Sequence, residues 1–257
     1  MTEPWDAAAG PLRVAFVPGV MPDKWAATWR RRVPEVELVL LPSADEDQLA
    51  VLRDGRADVC FLRLPVDREG LNVIPLYREV AVVVVPKDHV VAAFDEVSVA
   101  DLADEHLLQD PDNVPEWRDL AVEVRDRTRF PVPAMTTGET FASIAAGAGI
   151  AIVPMSIARL HHRKELTYRP VTGVAGSQIG LAWLREAPNA PDDRIDYFIG
   201  IVRGRTERSS RTVSAPPKEA AGRAVSTDGP ASKASGNARH RPRPGGSRSR
   251  SSRRGRH

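Results

Sequence analysis

Residues 12–62 read LRVAFVPGVMPDKWAATWRRRVPEVELVLLPSADEDQLAVLRDGRADVCFL, and their pattern decides the fold. Leu12 to Val17 is a short β-type run that ends at the turn signal Pro18-Gly19. Pro22 suits the first turn of a helix. From Asp23 to Val33, Trp25, Trp29 and Val33 stand at i, i+4 and i+8, one apolar stripe, and Pro34 stops the helix. Glu35 to Leu41 predicts a second strand. Asp45 to Arg53 predicts a helix with Leu49 and Leu52 inward, and Gly55 marks its end. Ala57 to Leu62 predicts a third strand. Strand, helix, strand, helix, strand with short helices implies a parallel sheet with right-handed crossovers. Open sheets of this kind bind ligands beyond the C-terminal ends of their strands. Three loops qualify: Pro18–Met21, Pro42–Ala44 and Arg63–Pro65.

A second α/β unit follows. The continuous apolar run Val80–Val85 predicts a buried strand. Ser98 opens a short helix as its N-cap, with Asp101 three residues on. Leu107–Leu108 reads as a short strand, Pro115 to Val124 as a helix and Pro133 to Thr137 as strand running into loop. Glu139 to Ala148 reads as a helix closed by Gly149, and Ile150–Val153 as a buried strand. Ser156 caps a short helix to His161. Ile179–Leu184 is a strand, and Arg194 to Arg203 the last helix.

The formal net charge of +2 over 257 residues hides a division. Residues 205–257 hold 14 Lys/Arg and three acids, a net of +11, which leaves −9 for everything before them. The tail has no aromatic residue, and its large aliphatics are Val213 and Val225 alone. Rich in Ser, Gly and Pro, it cannot bury a core and is expected to be disordered. About 200 residues remain, enough for one or two domains with cores. The single cysteine, Cys60, excludes a disulfide scaffold and a Cys-based zinc site. No apolar run approaches the ~18 residues of a membrane span. The start, Met1-Thr-Glu-Pro-Trp-Asp, is acidic rather than signal-like, so a cytoplasmic location is expected.

Seven segments in order carry a family resemblance. They are Leu12-Arg-Val-Ala-Phe-Val, Leu52-Arg-Asp-Gly-Arg-Ala-Asp-Val, Gly70-Leu-Asn-Val-Ile-Pro-Leu-Tyr-Arg-Glu, Val82–Pro86 with His89, Ala100-Asp-Leu-Ala-Asp-Glu, Ala145-Ala-Gly-Ala-Gly-Ile-Ala-Ile-Val-Pro and Gly180-Leu-Ala-Trp. None is specific alone; the ordered set resembles the effector-binding (substrate-binding) domain of LysR-type transcriptional regulators. The resemblance spans roughly Pro11 to Arg203. It implies the type 2 periplasmic-binding-protein fold: two Rossmann-like subdomains joined by two crossover strands, the ligand in the cleft between them. The implied domain is 12–203, with subdomain one at 12–80 and 183–203, subdomain two at 81–182, and the tail at 204–257. Side-by-side homodimers are implied as well. One departure is expected to matter: 11 residues precede the first strand, so the family's helix-turn-helix has no counterpart here, and no helix offers itself for reading a major groove.

The family's first loop commonly brings a Ser or Thr to the ligand, whereas this one is Pro18-Gly19-Val20-Met21. Backbone N–H groups at Gly19 and Val20 with the helix dipole still favour an anion; equally, Gly19 simply serves the turn. Ser43 is a ligand donor or the cap of the following helix. Arg63 sits where the family places a polar residue facing the cleft, and its guanidinium suits a carboxylate; the alternative is an ion pair with Asp67. Gln109 and Asp110 border the cleft in the family, though Asp110 before Pro111 also suits a turn. Thr137 is the expected N-cap and Thr136 the ligand candidate, or both serve the helix start.

Catalysis has no support. Cys60 lies inside an apolar strand, His161-His162-Arg163-Lys164 lacks further metal ligands, and Gly-x-Ser-x-Gly, His-Glu-x-x-His and Gly-x-x-x-x-Gly-Lys patterns do not occur. No cofactor or metal is expected. The arginines of the tail, Arg239, Arg241, Arg243, Arg248, Arg250, Arg253, Arg254 and Arg256, suit a polyanion through counterion release. The expected protein is a non-enzymatic sensor of a small, anionic metabolite in transcriptional regulation, touching DNA through its tail. Two alternatives share the fold: a degenerate-cleft interaction module that partners another regulator, and a solute-binding protein.

Overall fold

The computed structural model describes residues 10–186 and 193–204. The tail arginines and the expected tail disorder lie outside them. Two sheets account for the described strands. The first has the order β2 (Leu38–Pro42), β1 (Leu12–Phe16), β3 (Val59–Leu64), β9 (Gln178–Leu184), β4 (Leu71–Arg78). The pairs of β1 with β2 and β3 are parallel, as the opening stretch predicts, and β9 then runs antiparallel between β3 and β4. The second sheet has the order β6 (Val97–Ser98), β8 (Leu166–Thr172), β5 (Ala81–Pro86), β7 (Ala151–Pro154). This is mixed α/β architecture with two joined sheets.

Each sheet is buried on both faces, and strand alternation sorts its side chains between them. In β3, Val59 and Phe61 enter one cluster with Leu12, Val14, Trp29 and Phe198, while Cys60 and Leu62 enter another with Val51, Leu52 and Leu71. In β5, Val83 and Val85 join Leu102 and Trp117, while Val82 and Val84 join Phe141 and Ile144. Burial on both sides is why these strands read as continuous apolar runs. The helix α1 (Asp23–Arg32) buries Trp29, whose indole N–H donates to the Val36 carbonyl at 2.9 Å. Trp25 stacks on Phe61 at 4.6 Å, and α7 (Asp193–Val202) adds Phe198 edge-on to Trp29.

Several elements differ from expectation. The helix expected over 45–53 shrinks to α2 (Ala50–Arg53). Asp45 and Gln48 are drawn instead onto β3, so residues 45–49 turn without coiling. The helix expected over 115–124 is two, α3 (Pro115–Arg118) and α4 (Val122–Arg125). It breaks because Ala121 is extended and the Val122 N–H donates to the Ala103 carbonyl. Pro133 to Thr137 forms no strand, and α5 (Thr137–Ala145) ends three residues early. The helix α6 (Met155–Leu160) begins without a side-chain cap from Ser156. Strand β8 was not foreseen: its sequence, LTYRPVT, is polar and contains a proline. The expected second crossing at 182/183 also moves. β9 pairs with β3 and β4 from Gln178 onward, so 178–182 belong with the first sheet.

The two crossings are bonded to each other. The Glu79 N–H donates to the Ser177 carbonyl at 2.8 Å, and Ser177 Oγ donates to Glu79 Oε2 at 2.8 Å. A Cβ on Gly176 would lie 2.2 Å from the Glu79 carbonyl oxygen, so only glycine allows this approach.

Candidate functional site

A cavity of about 1180 Å³ lies at the crossings, with walls from both sheets. Pro18, Asp45, Gln48 and Arg63 line one wall; Gln109, Arg129, Thr137 and His161 line the other. No three or more His, Cys, Asp or Glu among the described residues are grouped to hold a metal. No helix among them is long and apolar enough to cross a membrane.

Arg63 is the most connected side chain of the first wall. Alternation along β3 sends Leu62 into the core and leaves Arg63 on the opposite face. Its Nη1 donates to Asp45 Oδ1 at 2.7 Å, and its Nη2 to Glu79 Oε2 at 3.2 Å and to the Pro18 carbonyl at 3.0 Å. Asp67, the partner considered from sequence, pairs instead with Arg53 at 2.9 Å. Arg63 thus faces the cavity but carries two carboxylates already. Burial holds the Asp45 carboxyl above its ordinary range, against the pull of the Arg63 guanidinium.

Two glutamines brace the cavity in matching ways. Gln48 accepts from the Arg63 N–H at 2.8 Å and donates to the Arg63 carbonyl at 3.3 Å. Gln109 accepts from the Ile152 N–H at 3.0 Å and donates to the Ile152 carbonyl at 3.1 Å. Each side-chain amide pairs with a strand backbone as a neighbouring strand would. Gln109, a ligand candidate from sequence, therefore spends its amide on β7. The sequence pattern puts Gln48 in a helix, and no local pattern distinguishes a glutamine that clamps a strand.

Asp110 reaches the cavity, yet its carboxylate accepts from the Asp112 N–H at 3.0 Å, the turn role. Arg129, not foreseen, donates to the carbonyls of Leu107 at 2.7 Å and Gln109 at 2.8 Å, pairs with Glu123, and lies 5.7 Å above the Trp117 ring. The two threonines exchange their expected parts. Thr136 is the N-cap of α5: its hydroxyl accepts from the Glu139 N–H, and the Glu139 carboxylate accepts from the Thr136 N–H. Thr137 is the one that lines the cavity.

The remaining candidates serve the structure. Val20 is buried in the core with Trp29, and its N–H donates to the Val17 carbonyl at 3.2 Å. The first turn of α1 already carries Asp23, which meets the positive end of the helix. Ser43 donates to the Ala44 carbonyl, outside the lining, and caps no helix. Gly19 has φ +87°, and a Cβ there would fall 2.3 Å from Ser156 Oγ. Gly19 thus touches the opposite half of the molecule, and Ser156 Oγ is buried there without a hydrogen-bond partner.

The family model of the LysR substrate binding domain matches residues 6–206. The chain belongs to that family. A probable hydrogen peroxide-inducible genes activator of Mycobacterium avium is 32% identical over 219 residues, 76% of this chain and 68% of that one. The chain spans between 57% and 68% of the lengths of the first curated relatives it matches. Among solved structures, the Corynebacterium glutamicum OxyR C206 mutant is 26% identical with a TM-score of 0.58, covering 76% of this chain and 63% of that one. The BenM effector binding domain with its effector benzoate has a TM-score of 0.58 at 20% identity, covering 81% of this chain and 96% of that one, a likeness of fold. These neighbours share the two-sheet architecture described above, and a further relative, 27% identical over 214 residues (79% of this chain, 68% of that one), is named the DNA-binding transcriptional dual regulator OxyR of Escherichia coli.

Proposed function

We propose that this LysR-family chain is a non-enzymatic, cytoplasmic effector-binding unit that takes a small metabolite bearing an acid group into the cavity between its sheets. The observation that carries the reading is Arg63, a guanidinium at the end of β3 that faces a cavity of about 1180 Å³. A ligand acid would meet Arg63 from the cavity and Thr137 from the opposite wall. Because Arg63 also holds Glu79, and Glu79 holds Ser177, the ligand's charge would bear directly on the two crossings. Closure of the two halves about residues 78–81 and 173–177 is the proposed response. A homodimer is proposed on the family resemblance.

The sensed molecule is not peroxide acting on a thiol. Several relatives are named hydrogen peroxide-inducible activators, but this chain has one cysteine. Cys60 is buried in β3, and burial pushes its thiol up to about 12. Oxidation-sensing cysteines need an accessible thiolate. The tail arginines are proposed to hold nucleic acid without sequence preference, on charge alone. Equal binding of duplex DNA at low salt by the chain with and without residues 205–257 would refute that part.

A second reading, the interaction module with a degenerate cleft, is favoured by one observation: Arg63 already pairs with two carboxylates of the protein, Asp45 and Glu79. Thermal shift against a panel of small carboxylates separates the two. A bound acid at a hundred times its Kd stabilises the fold by about 2.7 kcal/mol. That rise, absent in Arg63→Met, supports sensing; no rise with any acid supports the interaction module.

A further inference from the structure

We infer that Asp45 is a built-in competitor for the ligand's acid group, its carboxylate holding Arg63 until a ligand displaces it. The inference rests on the reading of the cavity as an acid-binding site.

The two carboxylates on Arg63 are held very differently. Glu79 has a side chain only 6% exposed, accepts from Ser177 Oγ at 2.8 Å as well as from Arg63, and lies on the first crossing. To remove it would strand a buried charge. Asp45 is 46% exposed, and Arg63 Nη1, at 2.7 Å, is the one side-chain donor it meets among the described residues. Its segment, residues 43–49, carries no helix or strand. Released, Asp45 would return to water. Exchange at Arg63 is therefore directed: an incoming acid takes the Asp45 position and leaves Glu79 in place.

Three further features fit an occupant that yields. Gln48 is bonded in both directions to the Arg63 backbone, so it tethers the far end of the segment while residues 43–47 swing. One guanidinium facing two carboxylates has a net charge of −1, which repels a ligand acid until Asp45 withdraws. Burial also holds the Asp45 carboxyl above its ordinary range, so the ion pair does not fully offset the loss of water. In this arrangement Asp45 sets how much ligand is needed: the affinity measured from outside is the affinity for a free Arg63 reduced by the fraction of time that Asp45 occupies it.

The experiment is calorimetric titration of the full chain with acetate, benzoate, succinate and citrate as probe acids. It compares the parent chain, Asp45→Asn, Asp45→Ser, Asp47→Asn and Arg63→Met, each shown by circular dichroism and melting to be folded. Asp47 is an exposed acid of the same segment without a bond to Arg63, so its variant controls for net charge. Expected is at least one probe bound about tenfold more tightly by both Asp45 variants than by the parent, unchanged in Asp47→Asn and lost in Arg63→Met. Equal gains in the Asp45 and Asp47 variants would mean general repulsion and overturn the competitor. Equal affinity of parent and Asp45 variants, with loss in Arg63→Met, would also overturn it but leave the acid-binding reading standing. No binding of any probe by any chain would overturn both.

Discussion

At Cys60, the neighbours in β3 decide the chemistry. Val59 and Phe61 fill one face of the sheet, and Cys60 is packed on the other among Leu62, Val51 and Leu52. Its thiol is raised to about 12 by burial, so almost no thiolate forms at neutral pH. Iodoacetamide should therefore leave Cys60 unmodified in the native chain and alkylate it once the chain is unfolded in denaturant. Rapid native alkylation would contradict the burial and reopen a thiol-based role. Gly19 offers a second test at this scale. Its φ of +87° strains any other residue, and a Cβ would strike Ser156. Gly19→Ala should lower stability by about 1–3 kcal/mol, read as the midpoint of urea unfolding. Ser156→Gly in the same chain should recover part of that loss, since it removes the struck atoms but not the backbone strain. Equal stability of both variants would show the loss to be backbone strain alone.

Among the elements, α5 carries a full capping box. Donors from Thr136 hold the Glu139 carboxyl below its ordinary range. A carboxyl lowered in the folded state stabilises the fold above the unfolded value of about 4.3, and this contribution disappears as pH falls through the lowered folded value. The melting temperature of Glu139→Ala should thus fall below that of the parent at pH 7, and the gap should narrow as the solution is acidified below pH ~4. A gap independent of pH would assign the cap to the neutral hydroxyl. This element also shows what could be read from sequence. Thr136, Thr137 and Glu139 mark a helix start plainly, but the pattern does not say which threonine caps it, and that choice decides which one faces the cavity. Strands β3 and β5 are legible because burial on both faces leaves the apolar runs 59–62 and 81–85. β8 is not, because Thr167, Arg169 and Pro170 obscure its alternation and tertiary pairing with β5 and β6 defines it. The Gln48 and Gln109 clamps were invisible for a related reason: their partners, Arg63 and Ile152, lie 15 and 43 residues away.

Over the whole molecule, two sheets meet at the two crossings. The crossings are joined by Glu79 and Ser177, the cavity opens beside them, and Arg63 links one to the other. Family and architecture could be read from the ordered segments and the strand–helix alternation. The state of Arg63 could not, because its partners come from residues 18, 45 and 79, brought together only by folding. The central claim is that the cavity closes on a small acid. The most direct test is the distance across it. Spin labels on Lys24→Cys and Pro131→Cys stand at exposed positions, one on each half, and buried Cys60 should stay unlabelled. Pulsed electron paramagnetic resonance then gives the distance distribution with and without the probe acid that binds best. The account predicts a shorter and narrower distribution with the acid, lost when Arg63 is replaced by methionine. A distribution unchanged by a saturating acid would contradict it.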